Sequence, residues 1–321
     1  MQEDNWPEIA VLGAGAVGCY FGGMLARAGA PVTLIGRDQH VQAINRDGLF
    51  LETRDFQERI RLSASSNVAA ARAAHIVLLC VKTLDTETAA RALSPHLAGD
   101  AVLVSLQNGV DNVERIRSAT GIEALPAVVY VAAEMTAPGQ VKHNGRGDLV
   151  IGDLAGTNHR TVETVALMFV RAGIPCRISQ NIQADLWTKL IMNCAYNAIS
   201  ALGRARYGRI VDNPHSRELM RQVTEEVMAV ARAAGVTFPE GDMVEAVYQL
   251  GRAMANALSS TAQDIARGKR TEIDSLNGYV ARRGAELGVP APVNQTLFAL
   301  VKLFEESALT STGAPEYVGW R

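Results

Sequence analysis

The sequence has few of the residues that mark disulfide-stabilised or metal-binding proteins. The chain of 321 residues contains only four cysteines, and they lie far apart without a CxxC pair. This spacing indicates neither a disulfide framework nor a zinc knuckle. The six histidines are also scattered, and no His or acid cluster has the spacing of metal ligands. We therefore predict no metal site.

An excess of charge and long hydrophobic runs are also missing. The 31 basic residues nearly balance the 33 acidic ones, for a net charge of −2, so we expect neither a nucleic-acid nor a membrane-surface partner. There is no run of about 18 apolar residues, and residues 1–8 are acidic and polar rather than a basic leader before an apolar stretch. The protein is expected to be cytoplasmic and not anchored.

What remains is a globular composition, 48% hydrophobic and 20% charged, with room for about two domains. Up to about residue 178, short aliphatic runs alternate with helical patterns, which predicts a doubly wound parallel sheet. The predicted strands are 9–12, 32–35, 76–81 and 101–106, and the predicted helices are 16–28, 86–93 and 110–117. A hairpin of 128–133 with 147–151, a helix at 159–171 and a strand at 175–178 follow.

Beyond residue 181 strand signals are scarce, and long periodic segments predict helices. These segments are 182–202, 216–234, 241–257, 275–287 and 295–306. The predicted fold is therefore α/β, with an N-terminal Rossmann-type doubly wound domain over residues 1–180 and an all-α C-terminal domain over residues 181–321. The cleft between the two domains is the expected place for a site.

The first predicted strand runs into a loop of the form G-x-G-x-x-G and then into a helix. Gly13 permits a tight turn, Gly15 lets the backbone approach a pyrophosphate, and Gly18 lets the helix lie against the strand. The first free amides of the helix, at Ala16 and Val17, would then face the phosphates. This context predicts a dinucleotide site, and the alternative is a purely structural glycine turn.

The residues after the second predicted strand indicate which dinucleotide binds. An NAD site usually carries an acid there to hold the ribose 2′-hydroxyl, but this strand is followed by Gly36 and Arg37. A guanidinium holds a 2′-phosphate bidentately, whereas a carboxylate repels it. NADPH is therefore favoured, although Asp38 keeps the NAD alternative open with a shift of one residue.

Polar residues also follow the next two predicted strands, at the edge of the sheet where ligands bind in open α/β folds. Lys82 can hold a cofactor phosphate there, or it is a solvated surface lysine. Asn108 can bind the nicotinamide ribose or the substrate, or it can cap the helix that follows. Both interpretations stay open for each residue.

The first long helix of the second half carries a polar stripe. Lys189, Asn193 and Asn197 are spaced i, i+4, i+8 and share one face among apolar neighbours. A buried amide without a partner costs about 1–3 kcal/mol, so a polar ligand is expected to meet the stripe, with Lys189 as a proton donor. The alternative is bonding between helices, with Asp185 pairing Lys189.

A polar stretch over residues 259–274 supplies carboxylates that lie near helix patterns. Glu272 is the acid that can pair with or assist Lys189. Alternatively, Thr271 caps the next helix, and Glu272 and Asp274 are first-turn acids that the helix dipole favours.

Together these segments resemble the ketopantoate reductases, the NADPH-dependent 2-dehydropantoate 2-reductases of pantothenate biosynthesis. The likeness runs over nearly the whole chain and rests on six ordered motifs. They are the glycine loop, Arg37, the segments 81–83 and 106–110, the W-x-K-x-x-x-N-x-x-x-N pattern of 187–197, and the stretch 259–274.

The resemblance implies that Arg37 and Lys82 hold the 2′-phosphate of NADPH and that Asn108 lies by the nicotinamide and the substrate. It also implies that Lys189 is the general acid and that Glu272 binds or orients the substrate hydroxyl. The substrate-binding residues that it implies are Asn193, Asn197 and Ser260. A small 2-oxo acid is the expected partner, and the helical domain offers surface for a homodimer.

Two positions depart from the family pattern. Asp85 stands where many members carry Gln, and Ala257 stands where some carry Asn. The missing amide keeps a paralogous NADPH-dependent reductase of another 2-oxo acid open as an alternative. A 3-hydroxyacid dehydrogenase is disfavoured because the approach to Lys189 is not glycine-rich. A non-catalytic NADPH-sensing module has no need for the lysine and its amides.

Overall fold

The structure is a computed structural model that describes residues 6–310, with side chains up to residue 307. The chain divides into two compact units, and the division falls between Asp185 and Leu186. The first unit is an α/β domain and the second is helical. The predicted fold class, a Rossmann-type domain followed by an all-α part, is confirmed. The boundary predicted at residue 180 stays a prediction.

The first unit contains ten strands and five complete helices among the described residues. The strands are β1 (Ile9–Leu12), β2 (Val32–Ile35), β3 (Leu49–Glu52), β4 (Gln57–Ile60), β5 (Ser63–Ser65), β6 (Ile76–Leu79), β7 (Val102–Ser105), β8 (Ala124–Ala137), β9 (Gln140–Ile151) and β10 (Cys176–Ile178). The helices are α1 (Ala16–Arg27), α2 (Asp38–Asp47), α3 (Thr86–Leu93), α4 (Asn112–Thr120) and α5 (His159–Arg171).

The parallel part of the sheet has the strand order β5-β2-β1-β6-β7-β8. The chain leaves β1 toward β2 on one side and returns through β6 on the other, so the strand order reverses between β1 and β6. Leu12 lies opposite both Ile35 and Leu79 in the ladder, so the carboxyl ends of three strands meet at one edge. Open α/β sheets bind ligands at such a switch point.

The aliphatic sequence of β1 follows from burial on both faces. Ile9 and Val11 pack into one core layer with Phe21 of α1 and Phe169 of α5. The intervening residues, Ala10 and Leu12, pack into a second layer on the opposite face, beneath α3 and α4. The predicted doubly wound core is therefore present, and its strand period of two is visible in the two layers.

The sheet is larger and more mixed than the sequence predicted. The expected hairpin is confirmed as the long antiparallel pair β8–β9. The strands β3 and β10 each pair with β9 in parallel, and β4 pairs with β3 in antiparallel orientation. None of β3, β4 or β5 was predicted, and neither was α2. The result is one mixed sheet of ten strands.

The second unit is built from helices throughout its described part. Its helices are α6 (Ile182–Gly203), α7 (Tyr207–Asp212), α8 (Pro214–Ala233), α9 (Met243–Ala253), α10 (Ser260–Ala266), α11 (Asn277–Leu287) and α12 (Pro292–Thr310). The division between the units falls inside α6. The five predicted helices are confirmed with shifted ends, whereas the short α7 and α10 were not predicted. Over the described residues no helix has both the length and the apolar character that a membrane span requires.

Candidate active site

The glycine loop has a backbone that other residues cannot adopt. Gly13 has φ +114°, and a Cβ there would lie 2.6 Å from the carbonyl carbon of Cys80 and 2.7 Å from the amide of Val81. The amides of Gly13 and Ala14 donate to the Ile35 carbonyl at 2.8 and 3.0 Å. The loop is therefore fixed to the ends of both β2 and β6.

The other two glycines differ in what surrounds them. A Cβ on Gly18 would overlap the carbonyl oxygen of Gly13, so this glycine is needed for α1 to approach β1. A Cβ on Gly15 would have none of the described heavy atoms within 4 Å. Gly15 is the N-cap residue of α1 and has no side chain that could accept from the first amides of the helix, at Ala16 and Val17. The loop thus fits the pyrophosphate of a dinucleotide.

Arg37 and Asp38 follow the end of β2, and both side chains are exposed. Arg37 holds the N-cap position of α2, where its carbonyl accepts from the amides of His40 and Val41 at 2.9 and 3.1 Å. Asp38 is the acid in the first turn, which the helix dipole stabilises. The carboxylate therefore has a local structural role, and Arg37 presents an exposed guanidinium at the same strand end.

Asn108 does not cap the helix that follows it. That helix, α4, begins at Asn112 with Asp111 at its N-cap, two residues later than predicted, so the capping alternative is wrong. The Asn108 carbonyl instead accepts from the Thr83 hydroxyl and the Asn112 side-chain amide, both at 2.7 Å. The side chains of Asn108 and Lys82 are both half-buried, and they follow the neighbouring strands β7 and β6.

A buried polar cluster that the sequence analysis missed fixes these two loops. The Thr86 hydroxyl accepts from Gln107 Nε2 at 2.8 Å. Its one proton has two acceptors at 2.9 Å, Asn112 Oδ1 and the Thr83 carbonyl. Gln107 Nε2 also donates to the Val81 carbonyl at 3.1 Å. The cluster ties the loop after β6 to the loop after β7, so it holds Lys82 and Asn108 at one edge of the sheet. Of its side chains, only Gln107 stood in a motif that sequence reasoning singled out.

Asp85, which departs from the family pattern, occupies the N-cap position of α3 and is exposed. A carboxylate at a helix N-terminus is favoured by the helix dipole. This position gives the acid a local structural role.

The polar stripe predicted on α6 exists as one face of a continuous helix. Lys189 and Asn193 are half-buried, and Asn197 is 2% exposed. Asn197 Nδ2 donates to the hydroxyl of Ser260 at 3.4 Å. The structure therefore brings one amide of the stripe together with the predicted substrate-binding serine, within the second unit.

Ser259 explains why Ser260 lies beside α6. The Ser259 hydroxyl donates to the Asn197 carbonyl at 3.1 Å and accepts from the Ala262 amide at 3.0 Å, which caps α10. This one hydroxyl starts α10 and attaches it to α6. The next residue, Ser260, is exposed at the first position of the helix.

Asp185 has partners other than the one that the sequence suggested. Its carboxylate accepts from Arg177 Nη2 at 3.0 Å and from the Ser179 hydroxyl, both in the first unit. These bonds attach the first turn of α6 to β10, through Arg177, and to Ser179, the residue that follows the strand. They give the carboxylate a structural function at the helix start, and the alternative that Asp185 pairs with Lys189 stays a prediction.

The two acids after α10 have different surroundings. Asp274 forms an ion pair with Lys302 at 3.1 Å. Thr271 does not cap α11, which begins at Asn277; its hydroxyl accepts from the Ile273 amide of a short 3-10 turn, at 3.4 Å. Glu272 is half-buried, and the role predicted for it stays a prediction.

Among the side chains of residues 6–307, no three His, Cys, Asp or Glu groups are arranged to hold a metal ion. The four cysteines are free thiols.

Comparisons with known proteins agree over most of the chain. The family model described as ketopantoate reductase PanE/ApbA matches residues 9–156, and the model of the C-terminal part of that family matches residues 181–305. The 2-dehydropantoate 2-reductase of Pyrococcus horikoshii is 35% identical over 93% of this chain and 97% of its own length. That of Halobacterium salinarum is 34% identical over 92% and 98%.

A solved structure gives the same result at higher identity. The PanE/ApbA family ketopantoate reductase from Ralstonia eutropha JMP134 is 51% identical to this chain, with a TM-score of 0.88. The match covers 94% of this chain and 99% of that one.

Proposed function

The chain belongs to the ketopantoate reductase family, and on that premise we propose that it reduces 2-dehydropantoate to pantoate with NADPH, a step of pantothenate biosynthesis. The curated relatives named above are 2-dehydropantoate 2-reductases. The observation that carries the proposal is the stripe of Lys189, Asn193 and Asn197 on α6, with Ser260 bonded to Asn197.

The residues around the glycine loop fit NADPH. The open space over Gly15 suits a pyrophosphate, and the exposed guanidinium of Arg37 suits a 2′-phosphate. Lys82, at the neighbouring strand end, adds a second cation for the same phosphate. When bound, the cofactor supplies the hydride that reduces the keto carbon. The chain itself provides the binding groups and the proton.

The proton comes from Lys189 in this proposal. As the keto carbon is reduced, negative charge develops on the substrate oxygen, and the Lys189 ammonium neutralises that charge by donating its proton. Asn193, Asn197 and Ser260 hold the substrate through amide and hydroxyl hydrogen bonds. Glu272 accepts a hydrogen bond from the substrate hydroxyl and thereby orients the keto group toward Lys189.

The proposed function is tested by mixing the protein with NADPH and 2-dehydropantoate and following the absorbance of the reduced nicotinamide. We expect the absorbance to fall only when both compounds are present, and pantoate to form in equal amount. A folded protein that binds NADPH but consumes none of it with any 2-oxo acid contradicts the proposal and supports a sensing module instead.

Replacement of Lys189 by Ala should lower kcat by about 10²- to 10⁴-fold, because the proton donor is removed. The affinity for NADPH should change little, since the glycine loop and Arg37 remain in place. Steady-state kinetics and fluorescence titration with NADPH measure the two quantities. Turnover that stays at the wild-type rate would show that Lys189 is not the general acid.

A second substrate is favoured by one position. Ala257 is half-buried ahead of α10, and its carbonyl accepts from the Tyr207 amide at 3.1 Å. Its methyl group offers no hydrogen bond where some family members carry an amide. A panel of 2-oxo acids assayed with NADPH decides between the two, since the physiological substrate should have a higher kcat/KM than the other acids.

A further inference from the structure

A line of buried hydrogen bonds runs through the second unit from α8 to α6. The carboxylate of Glu226 accepts from the backbone amides of Val293 and Asn294, both at 2.9 Å, and from Asn294 Nδ2 at 2.8 Å. Asn294 Oδ1 accepts from Asn277 Nδ2 at 3.0 Å. The same Nδ2 donates to the backbone carbonyl of Cys194 at 3.2 Å.

This line ends within the polar stripe of α6. Cys194 directly follows Asn193 and lies on the turn that leads to Asn197. Asn277 is also the first residue of α11, shortly after Glu272 in the chain. The side chain of Asn277 therefore contacts the turn of α6 that carries the predicted substrate-binding amides. Asn277 also lies at the end of the segment that contains Glu272, the predicted substrate-binding carboxylate.

The buried amides of this line are energetically unfavourable in a protein core. Asn277 and Asn294 are both 0% exposed, and a buried amide is less favourable than an apolar side chain of similar size unless it is fully paired. Asn277 Oδ1 has no hydrogen-bond partner among the described residues. The side chain thus serves through its donor group, and buried polar groups of this kind specify one arrangement rather than add stability.

We propose that Asn277, supported by Asn294 and Glu226, is a positioning residue for the substrate site. Its hydrogen bond to the Cys194 carbonyl fixes the rotation of α6 about its own axis, while its bond to Asn294 Oδ1 holds the Asn277 side chain in place. This arrangement sets the direction of the Asn193 and Asn197 side chains. This proposal rests on the proposed function, because it assigns Asn193 and Asn197 to the substrate.

The test compares Asn277→Ser with Val280→Ala. Val280 is also fully buried on α11, and its truncation weakens packing without removing a bond of the line. For Asn277→Ser we expect KM for the 2-oxo acid to rise between about 10-fold and 100-fold, because a small displacement of binding groups is costly, while the affinity for NADPH is unchanged. For Val280→Ala we expect a lower Tm with the wild-type KM.

A second readout does not depend on turnover. In protein labelled with 15N-asparagine, the side-chain amide signals of Asn193 and Asn197 should move in Asn277→Ser and stay in place in Val280→Ala. An inactive wild type with these shifts contradicts the proposed function but not the positioning role. Unmoved signals, or equal changes in both variants, overturn the positioning role. If Asn277→Ser does not fold, Glu226→Gln is measured instead. We expect this variant to show a smaller rise in KM and smaller shifts of the two amide signals. Wild-type values of both would overturn the proposal.

Discussion

Arg37 and Asp38 are neighbours of opposite charge at the end of β2, and they favour different cofactors. The acid is stabilised by the first turn of α2, whereas the guanidinium is exposed and suits a 2′-phosphate. Replacement of Arg37 by Gln should weaken NADPH binding by about 10- to 100-fold, the loss of one charged hydrogen-bonding group of about 1.5–3 kcal/mol.

Binding of NADH is the internal comparison for this variant, because NADH has no 2′-phosphate. Its affinity should change by less than about twofold, within the small range of an exposed substitution. Arg160→Gln, at an exposed position of α5, is the matched control and should leave both affinities unchanged. Equal losses for the two cofactors in Arg37→Gln would remove the 2′-phosphate role. Fluorescence titration of both variants with NADPH and with NADH measures these dissociation constants.

Most candidate residues of the site were predictable because each follows a strand end or repeats along a helix. Lys82 follows β6, and Lys189, Asn193 and Asn197 share a helical face, both of which are patterns within one segment. Thr86 was not predictable. Its contacts with Gln107 and with α4 join segments that are far apart in sequence, and a threonine at the start of a helix gives no local sign of such contacts.

At the scale of elements, two glycines of the loop have different roles: Gly18 allows α1 to pack against β1, and Gly15 leaves space for the ligand. A Cβ on Gly18 would overlap the Gly13 carbonyl, so Gly18→Ala should lower the free energy of unfolding by about 1–3 kcal/mol. Gly15 has φ −89° and open space around it. Gly15→Ala should leave stability unchanged or raise it by about 0.4–1 kcal/mol.

The affinity for NADPH should depend on Gly15 more than on Gly18. The methyl group of Gly15→Ala enters the space proposed for the pyrophosphate, and displacing one charged hydrogen bond should weaken NADPH by about 10-fold or more. Urea unfolding and NADPH titration of both variants measure the two effects. A Gly15→Ala protein that binds NADPH with the wild-type affinity would place the pyrophosphate elsewhere.

The loops after β6 and β7 depend on one hydroxyl. Thr86→Val keeps the shape of the side chain but leaves Gln107 Nε2 and Asn112 Oδ1 with one hydrogen bond fewer each, which should cost about 1–3 kcal/mol per buried group. Thr86→Ser keeps the hydroxyl and is the matched control. Thermal unfolding should show a clearly lower Tm for Thr86→Val than for Thr86→Ser, and equal values would mean that the cluster does not stabilise the loops.

The strands missed by the sequence analysis had two different causes. β4 has only Ile60 buried and β5 has no buried residue, so neither has a strand pattern of its own, and they pair with β3 and β2. β3 does alternate buried and half-buried side chains, a pattern that the sequence analysis overlooked. The short α7 and α10 depend on tertiary contacts, such as the bond of Ser259 to α6.

At the scale of the whole molecule, buried thiols occur in both units. Burial raises the pKa of the Cys19 and Cys176 thiols to about 12, and it raises the pKa of the Cys80 and Cys194 thiols as well. A thiol in the unfolded chain ionises near its ordinary pKa of about 8.5. The folded protein therefore keeps protons on its thiols at a pH where the unfolded chain releases them.

This difference gives stability an alkaline limit. Below about pH 8.5 both states are protonated and the contribution of the thiols to stability is fully present; above it the unfolded state binds fewer protons, so the free energy of unfolding falls as pH rises toward about 12. Urea midpoints should decline steadily above about pH 9. In Cys194→Ala the protein should be less stable at neutral pH, because a fully buried side chain is truncated, but its decline with pH should be shallower. The same slope in wild type and Cys194→Ala would mean that the Cys194 thiol does not contribute to the alkaline loss.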